Sequence, residues 1–119
     1  MLDSLLDHLE DSCSSIDYWG FADEVASLPG MPFALLRFGD IVRSEGRGVK
    51  RYLDIYVHVQ RLDDRITACQ EIRDALADQI VTTDTGRMLF EWVNETGDYW
   101  DEGYQHQVRR LTFAIPGTR

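Results

Sequence analysis

Residues Val49 to Ile80, VKRYLDIYVHVQRLDDRITACQEIRDALADQI, change period partway along: an alternation of two gives way to a recurrence of three to four, with Leu62 and Asp63 between them. Val49, Arg51, Leu53, Ile55, Val57 and Val59 share one side of an extended segment, and Lys50, Tyr52, Asp54, Tyr56, His58 and Gln60 share the other. Successive side chains of a strand point to opposite faces, so the pattern predicts a half-buried strand. From Asp64 onward Ile66, Cys69, Ile72, Leu76 and Ile80 recur at helical spacing, with Arg65, Glu71, Arg73, Asp74 and Asp78 turned elsewhere. An apolar helix stripe needs cover, and the preceding strand offers it. The expected core contact is therefore Leu53, Ile55, Val57 and Val59 against Ile66, Cys69, Ile72 and Leu76.

Upstream, Leu2, Leu5, Leu6, Leu9, Cys13 and Ile16 step as one face of a helix over about 3 to 15, with Asp3 or Ser4 able to cap it. Ile16 to Pro32, with Tyr18, Trp19, Gly20 and Phe21 and a Leu-Pro-Gly-Met-Pro turn signal, reads as an ordered connection. Phe33 to Val42 reads as a strand covered on both faces, joined by the polar, basic turn Arg43 to Gly48 to the long strand. Downstream, Thr82 to Gly86 is a turn, Met88 to Asn94 a third strand and Gln107 to Ile115 a fourth. The expected fold is α+β: a mainly antiparallel four-stranded sheet with two helices packed on one face, in the order α-β-β-α-β-β, forming a single domain over 1–119.

The chain has 119 residues, a net charge of −9, 44% hydrophobic and 28% charged residues, the profile of an ordinary soluble domain. No run reaches the length of a membrane helix, and acids stand near the N-terminus where a secretory signal places bases, so membrane partners are not expected and synthesis in the cytoplasm is. Charge is segregated. Residues 1 to 36 hold seven acids and no Lys or Arg, whereas Arg37, Arg43, Arg47, Lys50 and Arg51 hold five of the twelve bases. Glu91, Glu95, Asp98, Asp101 and Glu102 form a second acidic stretch, followed by Arg109 and Arg110. A chain so acidic repels nucleic-acid backbones over most of its surface, which argues against specific DNA binding. Complementary patches on one chain suit head-to-tail contact between identical copies.

Chemical motifs are scarce. His8, His58 and His106 fall on three separate elements without zinc spacing, and no metal site is expected. Gly46 and Gly48 lack the following helix of a phosphate cradle. There is no nucleophile elbow around Ser12, Ser14 and Ser15, and Cys13 and Cys69 read as buried small hydrophobes. No catalytic residue and no cofactor is assigned, and the chain is not expected to be an enzyme. In Glu91 to Tyr104 the carboxylates are candidates for a contact or lumen surface, and Tyr99, Trp100 and Tyr104 for a subunit interface, the alternative being aromatics tucked into the core. Arg43, Arg47, Lys50 and Arg51 are the matching interface candidates on the basic turn.

The N-terminal Leu spacing, the stretch Tyr18-Trp-Gly-Phe-Ala-Asp23 leading through Leu28-Pro29-Gly30 to the strand Pro32 to Phe38, the basic hairpin, the strand and helix of Arg51 to Ile80 and the closing Leu111-Thr-Phe-Ala-Ile115 together resemble small tail-terminator and tail-completion proteins of long-tailed bacteriophages, the minor tail (Gp37-like) group included. That resemblance implies a non-enzymatic virion protein at the tail-neck junction, present in the host cytoplasm before assembly. It implies a homo-oligomer, a hexameric ring, that caps the tail tube, stops its polymerisation and meets the tail tube protein and the head-tail connector protein, with DNA passing through unbound. A runner-up of another class is an acidic inhibitor or DNA mimic of the antirestriction or immunity type, which would occupy a basic cleft. Replacing Asp98, Asp101 and Glu102 with amides is expected, at this level, to leave the fold intact.

Overall fold

A computed structural model describes residues 3–24, 30–43, 48–84 and 86–117. Helix α1 (Asp3–Ser12) is followed by a short strand β1 (Tyr18–Phe21), a 3-10 turn (Ala22–Glu24), and the long strands β2 (Phe33–Arg43) and β3 (Val49–His58). Helix α2 (Leu62–Leu76) leads to β4 (Gln79–Thr83), β5 (Gly86–Glu95), β6 (Tyr99–Asp101) and β7 (His106–Gly117). The sheet has seven strands in the order β1-β2-β3-β7-β5-β4, with β6 added to β7, and curls into a half-barrel. It is mixed, because β1 runs parallel to β2 while the other pairs are antiparallel.

The expected α+β class and both helices are present, but the four-stranded sheet is corrected to seven strands. Three short strands account for the difference. β1 lies within the aromatic connection, and its Tyr18 to Phe21 pair with Phe33 to Leu36. β4 occupies residues that the helical pattern extended through Ile80. The helix stops earlier because Asp78 takes a left-handed conformation (φ 57°), with its N–H on the Phe90 carbonyl, while the Ala77 N–H closes the last turn on Arg73. That stop is usually made by Gly or Asn, so Asp78 left no punctuation in the sequence. β6 continues the line of β5 along the same edge of β7 after a short break.

Both helices cover one face of the sheet. Leu53, Ile55, Val57 and Val59 are buried as expected, together with Ala34, Leu36, Phe90, Leu111 and Phe113. They meet Leu5, Leu9 and Cys13 of the α1 segment and Ala68, Cys69, Ile72 and Leu76 of α2. Phe113 takes both Phe90 and Trp92 edge-on, at 6.5 and 5.4 Å between centroids. Two side chains of α2 depart from the sequence reading. Ile66 is 45% exposed, and Arg65, expected to turn outward, is only 4% exposed. The inward stripe is thus 65, 68, 69, 72 and 76, with the Arg65 guanidinium held by the Val59 and Gln60 carbonyls just beyond β3.

β2 is covered on both faces only over Phe33–Leu36; Ile41 and Val42 are exposed. One-residue bulges interrupt β2 between Phe38 and Ile41 and β5 between Trp92 and Asn94, increasing the local twist. Gly48 sits at φ 64° with the Gly117 carbonyl only 2.8 Å from where a Cβ would be, so no other residue fits the start of β3 unstrained. The tip residues 44–47 lie outside the described residues.

Candidate functional site

Two polar clusters stand out, one on each face of the β6–β7 hairpin. On the helix side, the Arg65 guanidinium donates from Nε and Nη2 to both oxygens of Asp98, at 2.9 and 2.8 Å, and from Nη1 to the carbonyls of Val59 and Gln60, at 2.7 and 3.2 Å. Asp98 also accepts from Arg109 Nε at 2.6 Å, and Arg109 reaches Glu95 at 2.8 Å. Arg73 closes the cluster, 3.9 Å from Glu95 and stacked 4.4 Å over the Trp92 ring. The hydrogen bond from Arg65, reinforced by that from Arg109, holds the Asp98 carboxyl down at about 2. This cluster ties the first turn of α2 to the segment between β5 and β6. It has the composition of a clamp, with every carboxylate neutralised, and offers no free general base.

On the other face, His58 Nδ1 and His106 Nε2 are hydrogen-bonded at 2.8 Å, one imidazole donating and the other accepting. His58 stacks on Phe33 at 4.3 Å, and Tyr104 closes over it at 4.5 Å. Burial first, and then the neighbouring imidazole, push His58 down to about 4 against an opposing pull from Asp101. No local pattern marks this cluster, because its residues lie on β2, β3, β7 and the 102–105 turn. The alternation that placed His58 on the less covered face was correct; what covers it comes from Phe33, 25 residues before it, and from Tyr104 and His106, 46 and 48 residues after it.

A pH dependence follows. The folded state lowers the His58 pKa from 6.5 to about 4, so its contribution is present above pH ~6.5 and is lost as pH falls towards 4. Chemical unfolding between pH 7 and 4 should show a loss on the order of 2 kcal/mol across that window. His58→Phe, which keeps the stack on Phe33, should flatten the profile; an unchanged slope in that variant would sink the assignment.

Tyr104 belongs to the His58 cluster, and its N–H donates to Asp101 Oδ1 at 2.9 Å. Tyr99 is half-buried and Trp100, on the neighbouring residue, is 51% exposed. Glu95 and Asp98 are engaged with arginines, whereas Glu91 is half-buried on β5 and Glu102 is exposed. Lys50 is half-buried, Arg51 is exposed, and Arg47 lies outside the described residues; Arg43 ends β2. The structure therefore brings Tyr99, Trp100, Asp101, Glu102 and Tyr104 to one hairpin, and Lys50 and Arg51 to the other end of β3. Cys13 and Cys69 are free and buried, and burial pushes both thiols up to about 12. Among the described residues, no three His, Cys, Asp or Glu gather as metal ligands, and no helix is long and apolar enough to cross a membrane. An open cleft between the start of β2 and the β3–α2 connection is lined by Ser15, Met31, Pro32, Gln60, Arg61 and Asp64, without convergent acid and base groups.

A chain from the virion of a native gene transfer agent particle shares this fold. The two superpose with a TM-score of 0.59 at 16% sequence identity, over 82% of this chain and 76% of that one. At such identity the likeness is one of backbone architecture, and no side-chain role passes from one chain to the other. A scan of the sequence against protein-family models finds no match, and a comparison with curated proteins finds none either.

Proposed function

We propose that this chain is a structural protein of a phage-like virion particle and, within it, a tail terminator: a ring of identical subunits that caps the tail tube and meets the head connector. The observation that carries the reading is the fold shared with a gene transfer agent virion chain over most of both lengths. Charge segregation supports it. The acidic N-terminal third and the basic β2–β3 turn belong to one chain, and a head-to-tail contact between them repeated about a rotation axis closes. The exposed aromatic Trp100 beside Tyr99 and Tyr104 fits an interface, since large aromatics with polar edges dominate protein contacts. Glu91, Asp101 and Glu102 are the acids we assign to a contact or lumen surface; Glu95 and Asp98 spend their charge within the subunit.

Light scattering and electron microscopy of the purified protein test the reading. A closed ring, six subunits in the proposed form, is expected. Arg43→Glu with Arg47→Glu should lower the assembly size and increase its salt sensitivity while leaving the unfolding midpoint nearly unchanged. Particles made without the protein should carry tails of abnormal length or tails unable to join heads. A monomer at all concentrations, with normal tails in its absence, would overturn the terminator and favour an acidic inhibitor. The carboxylate rows that a DNA mimic needs are already depleted here, because arginines engage two of the acids of 91–102.

A further inference from the structure

The two ends of the sheet are unlike each other, and their difference selects a partner. β1 pairs with β2 only over Phe33–Leu36, although β2 continues to Arg43, so beyond the bulge Ile41–Arg43 has a strand partner, among the described residues, only on the β3 side. At the far end, β4 is the last strand of the sheet among the described residues. Each edge displays an isoleucine: Ile41 is 57% exposed and Ile80 is 56% exposed. An edge strand with exposed apolar side chains is a template for another strand.

Charge decides which strand. Residues 37–51 carry Arg37, Arg43, Arg47, Lys50 and Arg51 against Asp40 and Glu45, an excess of about three positive charges. The β4 edge lies between Asp78 and Asp84, with Arg87 opposite Thr82 on β5. α1, which carries Asp7, Glu10 and Asp11, is fastened to the β4–β5 turn by Ser4: the Asp84 N–H donates to Ser4 Oγ at 2.6 Å, and Ser4 Oγ donates to Asp84 Oδ1 at 3.1 Å. Pairing β2 with β2, or β4 with β4, would oppose like charges; pairing β2 with β4 opposes unlike ones.

We infer that the distal edge of β2, Ile41–Arg43, adds to the β4 edge of a second copy of this chain, joining sheets head to tail. Main-chain hydrogen bonds supply the attachment and the flanking charges fix the choice of edge. Because the two edges are opposite ends of one sheet, the contact is heterologous, and it forms a ring where the rotation between copies closes. This rests on the self-assembly reading above.

Cysteine cross-linking separates the two. Ile41→Cys and Ile80→Cys are surface changes, and the native thiols are buried with high pKa values, so they do not compete. Mild oxidation of the two variants mixed together should give a reducible dimer at least five-fold above either alone, and the double variant should give a ladder; Val42→Cys with Gln79→Cys covers a register shifted by one residue. If light scattering shows oligomers but no mixture cross-links above its single variants, the edge pairing is wrong and the ring uses another surface. If Ile41→Cys alone cross-links as well as the mixture, the contact is isologous and the inference fails. A monomer at every concentration removes the assembly reading itself.

Discussion

Asp98→Asn is expected to destabilise the protein by about 2–4 kcal/mol, a large loss for one neutral substitution near a surface. Arg65 cannot leave with its partner. Its guanidinium is buried under the first turn of α2, held by the Val59 and Gln60 carbonyls, and Asp98 supplies both oxygens of a bidentate pair. Breaking a buried ion pair by removing one member strands the other charge, which costs more than the pair contributed. Asp98 retains some solvent access, so the expected value lies below that of a fully buried pair. Glu91→Gln and Glu102→Gln should each stay within about 0.5 kcal/mol. Urea unfolding at pH 7 measures all three; an Asp98→Asn midpoint equal to wild type would mean that the clamp is decorative. The wild-type pair should also weaken as pH falls below ~4, because the lowered carboxyl contributes stability above its unfolded pKa and loses it towards about 2. The expectation that amides at 98, 101 and 102 leave the fold intact is revised accordingly, and Glu91 with Glu102 are the cleaner pair for testing a lumen role.

The second large effect separates two isoleucines on the same helix. Ile72→Ala should cost about 2–5 kcal/mol, since Ile72 is fully buried among the strands and α1, and truncation leaves a cavity as well as lost transfer energy. Ile66→Ala should stay within about 0.5 kcal/mol, because nearly half of Ile66 faces water. Equal losses at both positions would show that α2 is rotated about its axis from the orientation described.

The exchange of Ile66 for Arg65 on the buried stripe shows what periodicity can and cannot specify. Cys69, Ile72 and Leu76 lie on the stripe for either phase, so the pattern placed them correctly. At the helix start the pattern preferred apolar Ile66 to charged Arg65. Burying Arg65 is favourable only because Asp98, 33 residues later, and the carbonyls of the β3 end converge on it. Short strands were hidden for a related reason: Tyr18–Phe21 and Tyr99–Asp101 are too brief to display alternation, and β4 began inside a helical pattern that Asp78 ended without glycine or proline.

The sequence by itself determined the two helices, the long strands β2, β3, β5 and β7, the apolar side of β3 and the segregation of charge, because each is a local matter of period, propensity and side-chain type. Only the tertiary structure decided that Glu95 and Asp98 are bound by arginines, that His58 meets His106, and that the sheet ends in two unlike edges. Those facts depend on contacts between residues distant along the chain. Hydrogen bonding, desolvation and strand order arise when such groups meet, and no local pattern carries them.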